Sequence, residues 1–264
     1  MSQAEDLVRA VLEAAGLRRD ISLQRMDHSE SGDLVFRIGG APPLFAKIGH
    51  AGRRISIAEM RRETAALSWL QGRAAAPRLV WSGDIAGRPA LLTEAVAGVA
   101  LHALAPDRAE AGAIAALEAL AKLHAIPIAS CPFDECLAVK LAESQRRVEL
   151  NEIEVDRLDP ANANTAPAAI LAGLIAQRPA WEDLVVTHGD ASWPNFILRP
   201  DGEVAIIDLG RFGVADRHQD LALFLRSGRR NFPALDVEAL IARRYPVAAD
   251  PEKLAFYRQL DELY

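Results

Sequence analysis

Asp190 and Asn195 stand five residues apart in Val186-Thr-His-Gly-Asp-Ala-Ser-Trp-Pro-Asn-Phe196, in a loop-like break beside an apolar run. A second carboxylate, Asp208, follows in Val204-Ala-Ile-Ile-Asp-Leu-Gly210, beyond a Pro200-Asp201-Gly202 turn. One carboxylate can orient a hydroxyl and take its proton. An amide oxygen and a second carboxylate can hold a hard divalent cation against phosphates. Together these are the parts of metal-assisted phosphoryl transfer. Singly, each residue has a bland reading: Gly-Asp is turn chemistry, an asparagine is a common loop amide, and an aspartate can cap a strand end. The ordered pattern H-x-D-x-x-x-x-N followed by I-D favours the chemical reading. Asp190 is then the catalytic base, and Asn195 and Asp208 are the Mg2+ ligands, both being oxygen donors.

A cation to meet the phosphates is found upstream. Lys47 ends the strand-like run Leu44-Phe-Ala-Lys-Ile48. Strands alternate faces, so such a lysine can simply point to solvent. Met60, Glu63, Leu67 and Leu70 share one helical stripe, and a carboxylate among buried apolar groups is costly unless paired. A strand lysine with a helix glutamate on the buried face is the arrangement that anchors α- and β-phosphates. Phe45 lies two residues before Lys47, on the same strand face, where it can stack on a purine or serve as core. The first hairpin, His28-Ser-Glu-Ser-Gly-Asp33, has one glycine and is no Walker motif. Its backbone amides and the Ser29 or Ser31 hydroxyl are the candidates to cradle phosphate. His188 reads as a packed histidine bonding the loop, His124 as structural, and no nucleophile with an orienting acid supports a hydrolase triad. Asp220 either caps a helix or braces the catalytic loop.

Strands dominate the first third: 34–38, 44–48, about 79–82 and 90–94, with helices over 3–15 and 57–70. From Leu101 helical periodicity takes over, at roughly 107–124, 134–151, 167–177, 217–227, 236–245 and 251–262, interrupted by a β-hairpin at 185–208. The fold class expected is α+β, with a boundary at Glu94-Ala-Val-Ala-Gly98. The Asp156–Ala169 stretch reads as a surface loop. The chain has 264 residues, half of them apolar, with 36 acids against 30 bases and a net charge of −6. That balance, without a basic stripe, makes nucleic acid a poor partner. Met1-Ser-Gln-Ala-Glu-Asp6 is no signal peptide, and no window nears the ~20 apolar residues that span a bilayer. Cys131 and Cys136 form a lone C-x4-C, read as two reduced thiols of a cytoplasmic protein.

His188-Gly-Asp190, Asn195, Ile207-Asp-Leu-Gly-Arg-Phe-Gly-Val-Ala-Asp216, Leu92-Thr-Glu-Ala95, Cys131-Pro-Phe-Asp134 and the ending Ala255-Phe-Tyr-Arg-Gln-Leu-Asp-Glu-Leu-Tyr264 resemble the aminoglycoside 3′-phosphotransferases from Leu34 to Tyr264. The catalytic motifs alone would also fit choline, homoserine or macrolide kinases; the 210–216 and C-terminal segments are more specific. The resemblance implies a bilobal protein-kinase-like fold: a nucleotide-binding lobe over 1–94, with a small antiparallel sheet plus helix, and a mostly helical catalytic and substrate lobe over 95–264. It implies ATP or GTP as donor, Mg2+, and transfer of the γ-phosphate to the 3′-hydroxyl of kanamycin- or neomycin-type antibiotics by a monomer or dimer. It places the purine at the backbone near Thr93 and Ala95. Arg211, Arg226, Asp261, Glu262 and Tyr264, with its carboxylate, fall at drug-lining positions. A polycationic acceptor needs carboxylates, so Asp156 and Asp159 join the list as a flexible acidic wall. One departure is Ser227-Gly-Arg-Arg-Asn-Phe232, where Arg229 and Arg230 would repel an ammonium if they faced it. Another is Trp193, bulky enough to reshape a pocket rim. Competing readings are a metabolic small-molecule alcohol kinase, favoured by the arginine pair, and a non-catalytic nucleotide-binding regulator, which the intact chemical set argues against.

Overall fold

The computed structural model describes residues 2–18, 21–26 and 32–264. The chain forms two compact units. The first comprises Met1–Gly98 with Arg199–Arg211; the second comprises Val99–Leu198 with Phe212–Tyr264.

The first unit opens with helix α1 (Gln3–Ala14), started by a reciprocal cap between Ser2 and Glu5. Strands β1 (Leu23–Arg25), β2 (Leu34–Ile38) and β3 (Leu44–Ile48) follow, then α2 (Arg54–Leu70), β4 (Leu79–Ile85) and β5 (Arg88–Glu94). The five strands make an antiparallel sheet in the order β1-β2-β3-β5-β4. Alternation gives it two faces. Phe36, Ile38, Ala46, Ile48, Ala90 and Leu92 pack on Val8, Val11 and Leu12 of α1, so Lys47 is turned to the other face. α2 buries Met60, Glu63, Ala66, Leu67 and Leu70, the expected stripe with its carboxylate inside.

In the second unit β6 (Val99–Ala100) leads to α3 (Pro106–His124), α4 (Leu137–Glu149) and α5 (Pro167–Ala176), then β7 (Leu184–Thr187) and β8 (Phe196–Leu198). β6 pairs antiparallel with β8. The chain then gives β9 (Val204–Ile206) to the first unit, where the Ile206 N–H donates to the Ala75 carbonyl at 2.9 Å. Back in the second unit come β10 (Gly213–Asp216), α6 (Arg217–Asn231), α7 (Val237–Arg244), α8 (Pro251–Leu260) and a final 3-10 turn at Asp261–Leu263. Leu171, Leu174, Ala222, Tyr257, Leu260 and Leu263 share one core.

The expected 185–208 hairpin is corrected in one respect. β7 pairs with β10, Thr187 opposite Gly213 and Leu184 opposite Asp216, beyond the end of that stretch. Gly-Val-Ala-Asp is too short and small to read as a strand, yet β7 is buried over Val185–Thr187 and needs a ladder partner. Gly213 admits the pairing, because a Cβ there would lie 2.6 Å from Glu135 Cγ. No helix among the described residues is long and apolar enough to cross a membrane.

Candidate active site

In the first unit Lys47 reaches across from the sheet. Its Nζ lies 2.8 Å from Glu63 Oε2 and 2.9 Å from Asp208 Oδ1. Burial opposes the ammonium charge, but Asp208 and Glu63 outweigh it and hold the lysine well above its usual pKa. Burial pushes the Glu63 carboxyl up, against the pull of Lys47. Asp208 has φ +61, the left-handed region that costs a residue with a Cβ about 1 kcal/mol. Its side chain remains half exposed. The segment after it is pinned to α2 as well. A Cβ on Gly210 would lie 2.9 Å from Glu59 Cβ, and Arg211 Nε donates to Glu59 Oε1 at 3.0 Å. Glu59 thus engages Gly210 and Arg211 directly, while Glu63, one helical turn on, meets Asp208 only through their shared partner Lys47. Arg211, expected beside the substrate, has an α2 carboxylate as partner.

Phe45 shares the Lys47 face, half buried, with Thr93 opposite it on β5. Thr93 is buried. The Ala95 N–H is given to the Pro43 carbonyl at 2.9 Å, so of its backbone groups the carbonyl is the one suited to a purine donor. Ser29 and Ser31 lie outside the described residues.

In the second unit β7, buried over Val185–Thr187, runs into the loop that carries Asp190. Asp220 settles its open reading here: the α6 N-cap is Asp216, and Asp220 braces the loop. Its Oδ2 accepts the His188 N–H at 2.7 Å and its Oδ1 the Gly189 N–H at 2.9 Å. Burial raises its pKa, but hydrogen bonding from His124 and the nearby histidines bring it below the usual value. Gln219 Nε2 donates to the Gly189 carbonyl at 2.7 Å, so both faces of that peptide region are fixed by α6. Gly189 has φ +86, which a side chain would strain. Buried His188 accepts the Asp190 N–H on Nδ1 at 3.2 Å, a packing and bonding role as expected.

The Asp190 carboxylate, half exposed, accepts from Ser192 Oγ at 2.7 Å and from Asn195 Nδ2 at 3.0 Å. That same amide nitrogen donates to the Asp190 carbonyl at 3.0 Å. With its nitrogen committed, Asn195 has its carbonyl oxygen left as a ligand group. An amide oxygen here and the Asp208 carboxylate are hard donors, chemically suited to Mg2+.

Trp193 does not form a pocket rim; it is fully buried. Its ring centroid lies 5.5 Å from Phe224 and 5.3 Å from Phe232, and its Nε1 donates to the Phe224 carbonyl at 3.0 Å. Gly228 makes the space, since a Cβ there would lie 2.8 Å from the indole. Arg229 pairs with Glu238 on α7, and both Arg229 and Arg230 are exposed.

The two C-terminal carboxylates expected to line the drug site, Asp261 and Glu262, are engaged within the protein. Asp261 takes Arg226 Nη2 at 2.6 Å. Glu262 accepts the Asp159 N–H at 3.0 Å and both its oxygens accept Asn162 Nδ2, at 2.9 and 3.1 Å. Tyr264 donates its hydroxyl to Glu135 Oε2 at 2.6 Å, and Lys140 Nζ sits 3.9 Å from its ring centroid. Asp156 is exposed in a 3-10 turn. Sequence reasoning missed Glu59, Ser192, Gln219 and the Glu135–Lys140 pair. Ser192, two residues after Asp190, carried a legible signal, because Asp-x-Ser is a local hydrogen-bonding unit. The others meet partners far away in sequence.

The chain as a whole has counterparts among known proteins. The model of the phosphotransferase enzyme family matches residues 22–257. An aminoglycoside 3′-phosphotransferase of Streptomyces fradiae is 35% identical over 252 residues, covering 90% of this chain and 94% of that protein. A streptomycin 3″-kinase of Streptomyces griseus is 38% identical, with 89% of each chain covered. The solved structure of aminoglycoside phosphotransferase APH(3″)-Id from Streptomyces rimosus, in complex with ADP and streptomycin, superposes with a TM-score of 0.82 at 30% identity, covering 98% of this chain and 96% of that one. The chain belongs to the phosphotransferase enzyme family, among the aminoglycoside phosphotransferases.

Proposed function

We propose that the protein moves the γ-phosphate of ATP or GTP to the 3′-hydroxyl of kanamycin- or neomycin-type antibiotics and so inactivates them. The observation that carries this reading is the Asp190 carboxylate, fixed by Ser192 and Asn195 in a loop bolted down by Asp220. A carboxylate is a weak base, but the acceptor hydroxyl loses its proton late in a loose transition state, so orientation counts for more than basicity. Asp190 holds the hydroxyl in line and receives its proton. Lys47, fixed by Glu63, meets the α- and β-phosphates. Asn195 and Asp208 would hold Mg2+, which neutralises charge building on the phosphate oxygens. Residues 1–94 act as the nucleotide lobe and 95–264 as the catalytic and substrate lobe. Asp208 serves the nucleotide side, in keeping with its packing in the first unit.

The acceptor's ammonium groups are met at Asp156, Asp159, Asp261 and Glu262. Asp261 and Glu262 already have protein partners, so binding there is an exchange of partners. Of the two arginines that favour a metabolic alcohol kinase, Arg229 is paired with Glu238, which weakens that reading. A second reading has its own support: the streptomycin kinase relative favours a 3″-hydroxyl acceptor. Mass spectrometry after incubation with Mg2+ and ATP or GTP separates them. Phosphate on kanamycin and neomycin, and none on a 3′-deoxy aminoglycoside, is the expected result. Phosphate on streptomycin alone moves the assignment to the second reading, and none on any aminoglycoside sinks both.

A further inference from the structure

Asp220 is wholly buried, and its two backbone bonds to His188 and Gly189 need it to stay ionised. Its third partner is His124 of α3, whose Nε2 lies 2.9 Å from Asp220 Oδ2. The other ring nitrogen, Nδ1, lies 2.5 Å from the Tyr245 hydroxyl at the end of α7. Tyr245 in turn lies 3.2 Å from Arg217 Nη1. For a neutral imidazole these contacts have one consistent polarity, because the Nε2 facing the Asp220 carboxylate must carry the proton. A guanidinium only donates, so the Tyr245 oxygen accepts from Arg217 and its single hydrogen passes on to His124 Nδ1. With Nδ1 accepting, the imidazole proton sits on Nε2 and is donated to Asp220. Arg217 is itself fixed by Asp183, at 2.6 and 3.0 Å.

We propose that His124 and Tyr245 are positioning residues of the Asp190 loop: Tyr245 fixes His124 as its Nε2–H tautomer, and His124 gives Asp220 the donor that keeps it locked on the His188 and Gly189 amides. Without that donor the buried carboxylate must take a proton or turn to another partner. Either change weakens the two amide bonds that hold Gly189 at φ +86, immediately before Asp190. The functional part of this inference rests on Asp190 being the base; the structural part does not.

The test is Tyr245→Phe, His124→Leu and His124→Gln, read by steady-state kinetics and by amide hydrogen exchange at His188 and Gly189. Loss of one hydrogen bond to a charged network corresponds to about 10-fold in kcat for Tyr245→Phe and about 100-fold for His124→Leu. The KM for nucleotide should stay within about twofold, because Lys47 is untouched. Exchange should quicken at His188 and Gly189 while Val185 and Val186 of β7 keep their protection. His124→Gln, whose amide nitrogen can replace Nε2–H, should recover most of the His124→Leu loss. A pure packing role gives the reverse order, with leucine better than glutamine, and overturns the proposal. So do parent-like kcat and unchanged exchange in Tyr245→Phe, a near-isosteric variant that keeps the test alive if His124→Leu fails to fold. Exchange is read without turnover. An active Asp190→Asn enzyme would therefore refute the base assignment, whereas unchanged exchange in Tyr245→Phe would refute the brace.

Discussion

Lys47 is held by two carboxylates, Glu63 at 2.8 Å and Asp208 at 2.9 Å, whereas the Asp190 loop is held by hydroxyl, amide and backbone groups around a buried carboxylate. The Asp208 side chain is 53% exposed; Asp220 is 0% exposed. The difference is one of exchangeability. The Lys47–Asp208 pair, with Asp208 half exposed, contributes modestly and can re-partition when another charge arrives, while buried Glu63 keeps the lysine in place. A buried, fully bonded loop does not rearrange without leaving polar groups unsatisfied. The first region is therefore suited to accepting and releasing a charged ligand, and the second to holding one carboxylate in a fixed direction. Phosphoryl transfer needs both, and the chain keeps them in separate compact units.

The sharpest way to break this comparison is Asp190→Asn. Turnover should fall by about 10²–10⁴-fold while nucleotide affinity, measured by calorimetry, changes by less than about threefold. Near-normal turnover would leave the rigid loop without its assigned purpose. Next is Lys47→Met, which leaves Glu63 a buried carboxylate without its counter-ion. Thermal unfolding should show a loss of about 2 kcal/mol, and nucleotide affinity should drop by about 10-fold or more. Adding Glu63→Gln should return part of the stability and none of the affinity. A double variant no more stable than the single one would mean the pair is not energetically coupled.

A third prediction concerns Asp216, the buried α6 cap that accepts from His218 Nδ1 at 2.6 Å and Lys253 Nζ at 2.8 Å. Burial raises its pKa, but those hydrogen bonds prevail and bring it down to about 2. A depressed carboxylate contributes stability that is complete above the unfolded value of about 4 and is lost as pH falls through about 2. Asp216→Asn should thus cost about 2 kcal/mol at neutral pH. The gap from the parent should narrow below about pH 4; a constant gap down to pH 2.5 would contradict the linkage. The smallest effect is expected at Arg229→Ala. Its exposed pair with Glu238 is worth at most about 0.5 kcal/mol, and the KM for kanamycin should stay within about twofold. A large fall in that KM would mean that Arg229 does oppose the acceptor.

Legibility followed locality. His188, Asp190, Asn195 and Asp208 declare themselves through spacing, and Lys47 and Glu63 through strand alternation and a helical stripe, all readable within short windows. The strands β2 and β3 were likewise announced by apolar runs between turns, and β4 and β5 as short strands, though not as partners. What the chain concealed lies in partners distant in sequence. β7 pairs with Gly213–Asp216, a run too small to look like a strand. Trp193 looks like a surface obstacle until Gly228 and Phe232, more than thirty residues on, are seen to close over it. Arg229 looks like a repulsive charge until Glu238 is found beside it. Glu262 and Asn162, 100 residues apart, give no sign of each other in the sequence.

The most direct test of the central claim is the position of the phosphate on the product. Kanamycin treated with the protein, Mg2+ and ATP or GTP should give a monophosphate whose phosphorus couples, in a two-dimensional phosphorus–proton spectrum, to the proton on C3′, and Asp190→Asn should give none in the same time. A phosphate on another carbon, or equal product from Asp190→Asn, would contradict the account.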